Sequence, residues 1–311
     1  MPPTLVILNP HADSGRTGRL WPGLEPVLRD ALGDLELAVT QQPQDVDTAL
    51  ERAQQGGLER VVAVGGDGTN NSVVNALVAL HQRHPAAPLP AFGTLPVGTG
   101  RDWARSAGIP FDLPAAVHML ASAQPQPLDV GLLLCDGRPY HFLNIASAGL
   151  SGEVDRRVNS TRLRRPWTFL LATVATIASY RPVPLRISLD GQPWHDGSAY
   201  VVAVANGTTF GRGMAVAPQA SMADGLFDVV LVEAMSRAKA LYTLSKVYSG
   251  EHLSVSGVQH RRAARVEIVG GGPLDLDLDG EYTTGQRLEF SVLPGFLRAL
   301  LPPAAVPPAT A

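Results

Sequence analysis

Over the first 127 residues the apolar positions alternate between two textures. Short uninterrupted runs, Leu5-Val6-Ile7-Leu8, Val61-Val62-Ala63-Val64 and residues 91–96, end at Asn, Gly or Pro. Runs of this kind, rich in valine and isoleucine, predict strands buried on both faces. Residues 35–40 predict a further strand. Between the runs, apolar residues recur at helical spacing: Trp21, Leu24, Val27, Leu28 and Leu32 after a polar turn at 11–16, then 45–55 with Asp45 as the predicted N-cap, then 72–80. Strands alternating with helices predict βαβ units and a doubly wound parallel sheet. After Pro127 the texture changes. Residues 129–135, 140–146, 185–189, 200–205, 227–232, 265–269, 274–278 and 288–292 predict strands, separated by turn dipeptides such as Asp136-Gly137, Asp190-Gly191 and Asp279-Gly280. Helical insertions are expected at 153–179 and 236–249. The expected architecture is an α/β domain over 1–127, a mostly antiparallel β-rich domain over 128–301, a cleft between them and a disordered tail at 302–311.

A length of 311 residues suits two domains with a sizeable core, and 45% hydrophobic with 17% charged residues describes a globular chain. The net charge of −3 supplies no global basic field, so no nucleic-acid partner is expected. Cys135, the one cysteine, excludes an intrachain disulfide and reads as a small buried hydrophobe. No signal peptide is visible, and the longest nearly apolar run, 169–178, is shorter than the roughly 20 residues a bilayer span takes. A soluble, cytoplasmic protein is expected, with any membrane contact at its surface. The eight histidines show no zinc spacing, and no G-x-S-x-G elbow is present.

The chemistry concentrates where the run 61–64 meets Gly65-Gly66-Asp67-Gly68-Thr69-Asn70-Asn71. A strand, a glycine turn and a helix start let bare backbone N–H groups receive a phosphate. Asp67 cannot itself attract a phosphate, so its presence points to a nucleotide held with Mg²⁺. Ligands of doubly wound sheets bind beyond the C-terminal strand ends, where Asn9, Thr40, residues 65–69 and Gly98-Thr99 fall.

Five segments in order resemble the diacylglycerol kinase catalytic-domain family of bacterial lipid kinases: Asn9-Pro10 to Gly15; GGDGT; Gly98-Thr99-Gly100-Arg101-Asp102-Trp103-Ala104; residues 214–229; and Asp279-Gly280-Glu281. The resemblance implies an ATP- and Mg²⁺-dependent kinase acting on a lipid alcohol. Asn9, Pro10, Ser14, Gly15, Thr40, Gly65, Gly66, Asp67, Gly68, Thr69, Asn70, Asn71, Gly98, Thr99 and Arg101 would then serve the nucleotide. Asp224, with the carbonyls of Ser221 and Leu226, would form a Mg²⁺ loop. By the same resemblance Glu281 is the proton acceptor, with Asp279 beside it; Asp67 is the competing base or a Mg²⁺-water ligand. The chain departs from the family pattern with Arg101 for Asn, Ser72 for an acid and Ala223 for a second acid. The lipid is expected between the domains, with residues 167–174 as one wall. Five arginines and no acid between Arg156 and Trp167 predict peripheral contact with an anionic membrane. A NAD kinase sharing GGDGT and a non-catalytic lipid-binding relative are the alternatives. The identity of the lipid and a homodimer are left open.

Overall fold

The computed structural model describes residues 3–160 and 168–303. The chain forms two compact units, one running to Pro127 and resumed from Leu297, the other Leu128–Phe296. The first contains β1 (Thr4–Leu8), α1 (Ala12–Leu32), β2 (Leu35–Val39), α2 (Gln44–Gln55), β3 (Arg60–Gly65), α3 (Asp67–Arg83), β4 (Ala91–Pro96), α4 (Asp102–Ser106) and α5 (Leu113–Ser122). Its strands pair in parallel in the order β2-β1-β3-β4. Every residue of β1 and β4 is buried, which is what an uninterrupted apolar run dictates in a sheet covered on both faces.

Two local expectations change. The polar turn before α1 is folded into the helix start, where Asp13, Ser14 and Gly15 take consecutive positive φ values of 51°, 55° and 81°. Asp45 lies inside the first turn of α2 and does not cap it. Its carboxylate turns back to accept from the N–H groups of Gln41 (2.7 Å) and Gln42 (3.1 Å), which hold it below the usual carboxylate range. The expectation passed over α5, whose N-cap Asp112 accepts from Ala115 N–H at 3.0 Å.

The second unit follows with β5 (Pro125–Cys135), β6 (Arg138–Phe142), β7 (Ile145–Gly149), α6 (Leu150–Ser160), α7 (Thr168–Ser179), β8 (Val183–Leu189), β9 (Gln192–Ala205), β10 (Phe227–Glu233), α8 (Arg237–Val247), β11 (Val258–Ala263), β12 (Arg265–Leu278) and β13 (Glu281–Leu300). Strand order is β11-β10-β9-β7-β12-β13, with β8 against β9 and β12 and β5 against β6 and β13. Pairings such as β7–β9, β9–β10 and β12–β13 are antiparallel. Phe142 stacks on Phe227 at 5.7 Å and meets Phe290 edge-on at 6.2 Å in the core. Cys135 is free and buried in the same core.

The strand expected at 140–146 is broken at Leu143-Asn144 into β6 and β7. Those expected at 265–269 and 274–278 are one strand, β12, irregular between Val269 and Leu274. The end of β13 belongs to the first unit, where Ala299 pairs with Phe92 in parallel. Arg162, Arg164, Arg165 and Trp167 of the expected membrane segment, and residues 304–311 of the expected tail, lie outside the described residues. Among the described residues no helix is long and apolar enough to cross a membrane.

Candidate active site

At the C-terminal edge of the first sheet, two glycine turns touch backbone to backbone. The N–H groups of Val97 and Gly98 both donate to the carbonyl of Gly65 at 3.0 Å. A Cβ on Gly98 would lie 2.3 Å from the Cα of Gly66, and one on Gly65 2.3 Å from Thr69 Oγ1. Only glycine fits at either position. Around the turns, Asn9 Nδ2 donates to Thr69 Oγ1 at 3.2 Å and Asn9 Oδ1 accepts from His11 N–H. The Thr40 hydroxyl donates to the Leu8 carbonyl, and that of Ser72 to the Gly68 carbonyl at 2.9 Å. Asn9, Thr40, Thr69 and Ser72 share the lining of one small recess with residues 41–43 and Val46. Thr99 Oγ1 donates to Asp13 Oδ1 at 2.6 Å, joining the second glycine turn to the loop of Asn9, Pro10, Ser14 and Gly15. Asn70 is turned into the fold, where its Oδ1 accepts from Thr94 Oγ1, and Asn71 Oδ1 accepts from Asn75 Nδ2. Arg101 takes φ 54°, and its guanidinium lies 4.5 Å over the Phe111 ring beside that of Arg105.

Asp67 opens α3 and straps the two turns together. Its carboxylate accepts from the N–H groups of Asp102 and Trp103, each at 3.2 Å, and so caps α4 across the chain. Burial pushes its pKa up, against the pull of these N–H groups and that of Arg101.

In the second unit, Asp279 occupies a tight β12–β13 turn with φ 53°. Its carboxylate accepts from three successive N–H groups, Leu143 (2.7 Å), Asn144 (3.0 Å) and Ile145 (3.0 Å), at the break between β6 and β7. Glu281 starts β13 two residues on, exposed to solvent. Asp224 Oδ1 accepts from Leu226 N–H at 3.1 Å, while Oδ2 is ion-paired with Arg262. A single carboxylate already matched by a guanidinium does not fit Mg²⁺, and no group of three or more His, Cys, Asp or Glu capable of holding a metal occurs among the described residues.

The second unit also holds an apolar cavity of about 110 Å³. Its walls come from α6 (Leu150, Val154), α7 (Thr173, Ile177), α8 (Ala240, Leu244) and the facing strands β9 and β10. His252 lines it almost wholly buried, its Nε2 3.0 Å from the Val216 carbonyl. A carbonyl only accepts, so Nε2 carries the proton; burial lowers the pKa of the ring and keeps it neutral.

Two family models cover nearly the whole chain. The diacylglycerol kinase catalytic domain matches residues 3–133, and the YegS C-terminal NAD kinase beta sandwich-like domain matches 144–301. The “Probable lipid kinase YegS-like” of Xanthomonas oryzae pv. oryzae is 30% identical over 285 residues, 88% of this chain and 91% of its own. The chain belongs to the YegS-like lipid kinase family. A relative of the same printed name from Pseudomonas aeruginosa is 32% identical over 276 residues, covering 88% of this chain and 87% of its own. A diacylglycerol kinase structure from Bacillus anthracis shares the fold at TM-score 0.71, with 20% identity and 98% of both chains covered.

For this YegS-like chain the motif residues fall in three places: the first sheet's edge, the β12–β13 turn, and the Asp224 loop held by Arg262 of β11. Sequence reasoning passed over Asp129, which is buried and accepts from Gly225 N–H and Gly295 N–H, each at 2.7 Å. A lone acid inside the apolar run Leu128-Asp129-Val130 was the available signal. Of the cavity residues, Met214 and Val216 fall in the motif segment 214–229, whereas Phe210 carries no signal because it reads as ordinary core.

Proposed function

We propose that this chain transfers the γ-phosphoryl group of ATP, taken as its Mg²⁺ complex, to a hydroxyl of a membrane lipid such as a diacylglycerol. The observation that carries the reading is the apolar cavity of the β-rich unit. An apolar cavity of this order of size stays dry and accepts an apolar guest, as one segment of an acyl chain would be. The glycine turns of the first unit support the nucleotide half, since α3 starts there and points the positive end of its dipole outward. The alcohol oxygen attacks the γ-phosphorus, the bond to the β–γ bridging oxygen breaks, and the hydroxyl proton passes to a carboxylate. Glu281 is the acceptor in this reading: Asp279 already gives its oxygens to three N–H groups, whereas Glu281 is exposed. A second reading gives the proton to Asp67, whose pKa burial raises and so brings toward that of a working base. The acceptor being a lipid, the enzyme works at the cytoplasmic leaflet.

Labelled ATP offered with a panel of micellar lipid alcohols tests the proposal. Phosphorylated lipid is expected for at least one alcohol. Ala240→Phe, which fills the cavity, should raise KM for a long-chain acceptor at least tenfold while leaving KM for ATP unchanged. Failure to phosphorylate any alcohol of the panel would reject the kinase reading.

A further inference from the structure

α7 is built inside out. Its hydroxyl residues Thr173 and Thr176 are buried, and the Thr176 hydroxyl donates to the Ala172 carbonyl at 2.6 Å. Ile177 is buried and lines the cavity, but Leu170, Leu171 (59% exposed) and Val174 face solvent, continued by Ala175 and Ala178 one turn on. These three therefore do not form the lipid wall expected at 167–174, of which, among the described residues, Thr173 alone lines the cavity. The spacing i, i+1, i+4, i+5, i+8 makes one continuous stripe along the helix. A surface helix normally shows the reverse polarity, and one that is apolar all round is normally covered. α8 packs against α7 and extends the patch with Leu241, Tyr242 (55% exposed) and Tyr248 just past its end. Among the described residues the other exposed large apolar side chains, Val27, Val39, Phe111 and Tyr282, lie away from these two helices in the sequence. The opposite sides of the same two helices line the cavity through Thr173, Ile177, Ala240 and Leu244.

We propose that the α7–α8 face is the surface by which this protein docks on a lipid bilayer carrying anionic headgroups. The charges around the face choose this occupant. On α8 the charged residues are Arg237, Lys239 and Lys246, with no acid between 234 and 250, and the described part of α7 carries no charge at all. Lys246 sits 5.4 Å from the Tyr242 ring and is ion-paired with Glu251. An apolar centre, tyrosines and a basic surround match the acyl, interfacial and headgroup layers of an anionic leaflet in turn. A second copy docking the same face would set like charges against each other. The site of the acceptor, but not the docking itself, rests on the lipid kinase reading. Docking here sets the walls of the cavity against the leaflet that holds the acceptor.

Co-sedimentation of the full chain with phosphatidylglycerol/phosphatidylcholine vesicles tests the surface. The wild type should partition onto the mixed vesicles and less onto phosphatidylcholine alone, with binding weakened by salt. Leu171→Gln with Tyr242→Gln should lower partition at least tenfold at an unchanged melting temperature. Leu170→Gln with Val174→Gln is the second variant, and Val27→Gln, on α1, should bind as the wild type does. Phosphorylation of vesicle-embedded acceptor should fall in step with binding, while turnover of a short-chain acceptor below its micelle concentration stays unchanged. Undiminished binding by both double variants would overturn the proposal. So would absence of vesicle binding by the wild type together with a dimer, seen by light scattering, that the same substitutions dissolve. Loss of binding in the variants with no lipid alcohol phosphorylated by any of them would uphold the docking surface and sink the lipid kinase reading alone.

Discussion

Asp67-Gly68 and Asp279-Gly280 are one dipeptide in two surroundings. In both, the aspartate reaches out of its own turn to the backbone of another loop: Asp67 to two N–H groups at the start of α4, Asp279 to three between β6 and β7. The surroundings of the recipients differ. Leu143, Asn144 and Ile145 are nearly fully buried, so no water can replace Asp279. Asp67 sits at the mouth of a glycine turn, mostly buried and pushed up in pKa by that burial. A carboxylate committed to three buried donors is a fastening. One with two long bonds and a raised pKa can still exchange a proton. The comparison divides the labour: the second turn holds Glu281 in place, and the first either fastens its loops or handles the proton itself.

The largest effect expected is on turnover. Glu281→Gln should lower kcat about 100- to 10,000-fold with little change in KM for ATP and none in melting temperature, since Glu281 is exposed. Turnover at the wild-type level would transfer the role of base to Asp67. Next comes Asp279→Ala, which leaves three buried N–H groups without an acceptor and should cost about 3 kcal/mol or more by denaturant unfolding. A loss below about 1 kcal/mol would mean that water enters the turn, and the contrast with Asp67 would vanish. The smallest is the pH dependence of Asp67→Asn. A carboxyl whose folded pKa is raised contributes stability that is full below its unfolded pKa, about 3.9, and is lost as pH rises through the folded value. The stability advantage of the wild type over Asp67→Asn should therefore be greatest near pH 4 and shrink toward pH 7, as read from unfolding curves in urea. An advantage that grows over that window would mean that the N–H bonds outweigh burial and that Asp67 is a second fastening.

Much of the first unit was legible because its strands are buried on both faces, and such a strand can be written only as an apolar run. β1, β3 and β4 are examples, and GGDGT follows directly from the third. β11 was not legible: Gln259-His260-Arg261-Arg262 has no apolar alternation, and its place comes from pairing with β10. Asp45 misled because a helix-capping residue and a loop-capping residue look alike until the direction of the side chain is known. The apolar run at 169–178 was visible as a run, but its orientation was not. Helical periodicity separates two faces only when they differ in polarity, and α7 carries apolar residues on the face that the fold leaves outside.

The path of β13 has a consequence for synthesis. Leu297, Ala299 and Leu300 are fully buried, and Ala299 lies beside Phe92 on the far edge of β4. A ribosome therefore makes the whole second unit before the strand that completes the first sheet is available. Until then β4 offers an unpaired edge to solvent, the condition under which half-made chains recruit chaperones or each other. Expression of the segment ending at Pro127 should reproduce this incomplete state, whereas a circular permutant that moves Leu297–Leu300 ahead of β1 would let the first sheet close before the second unit is translated.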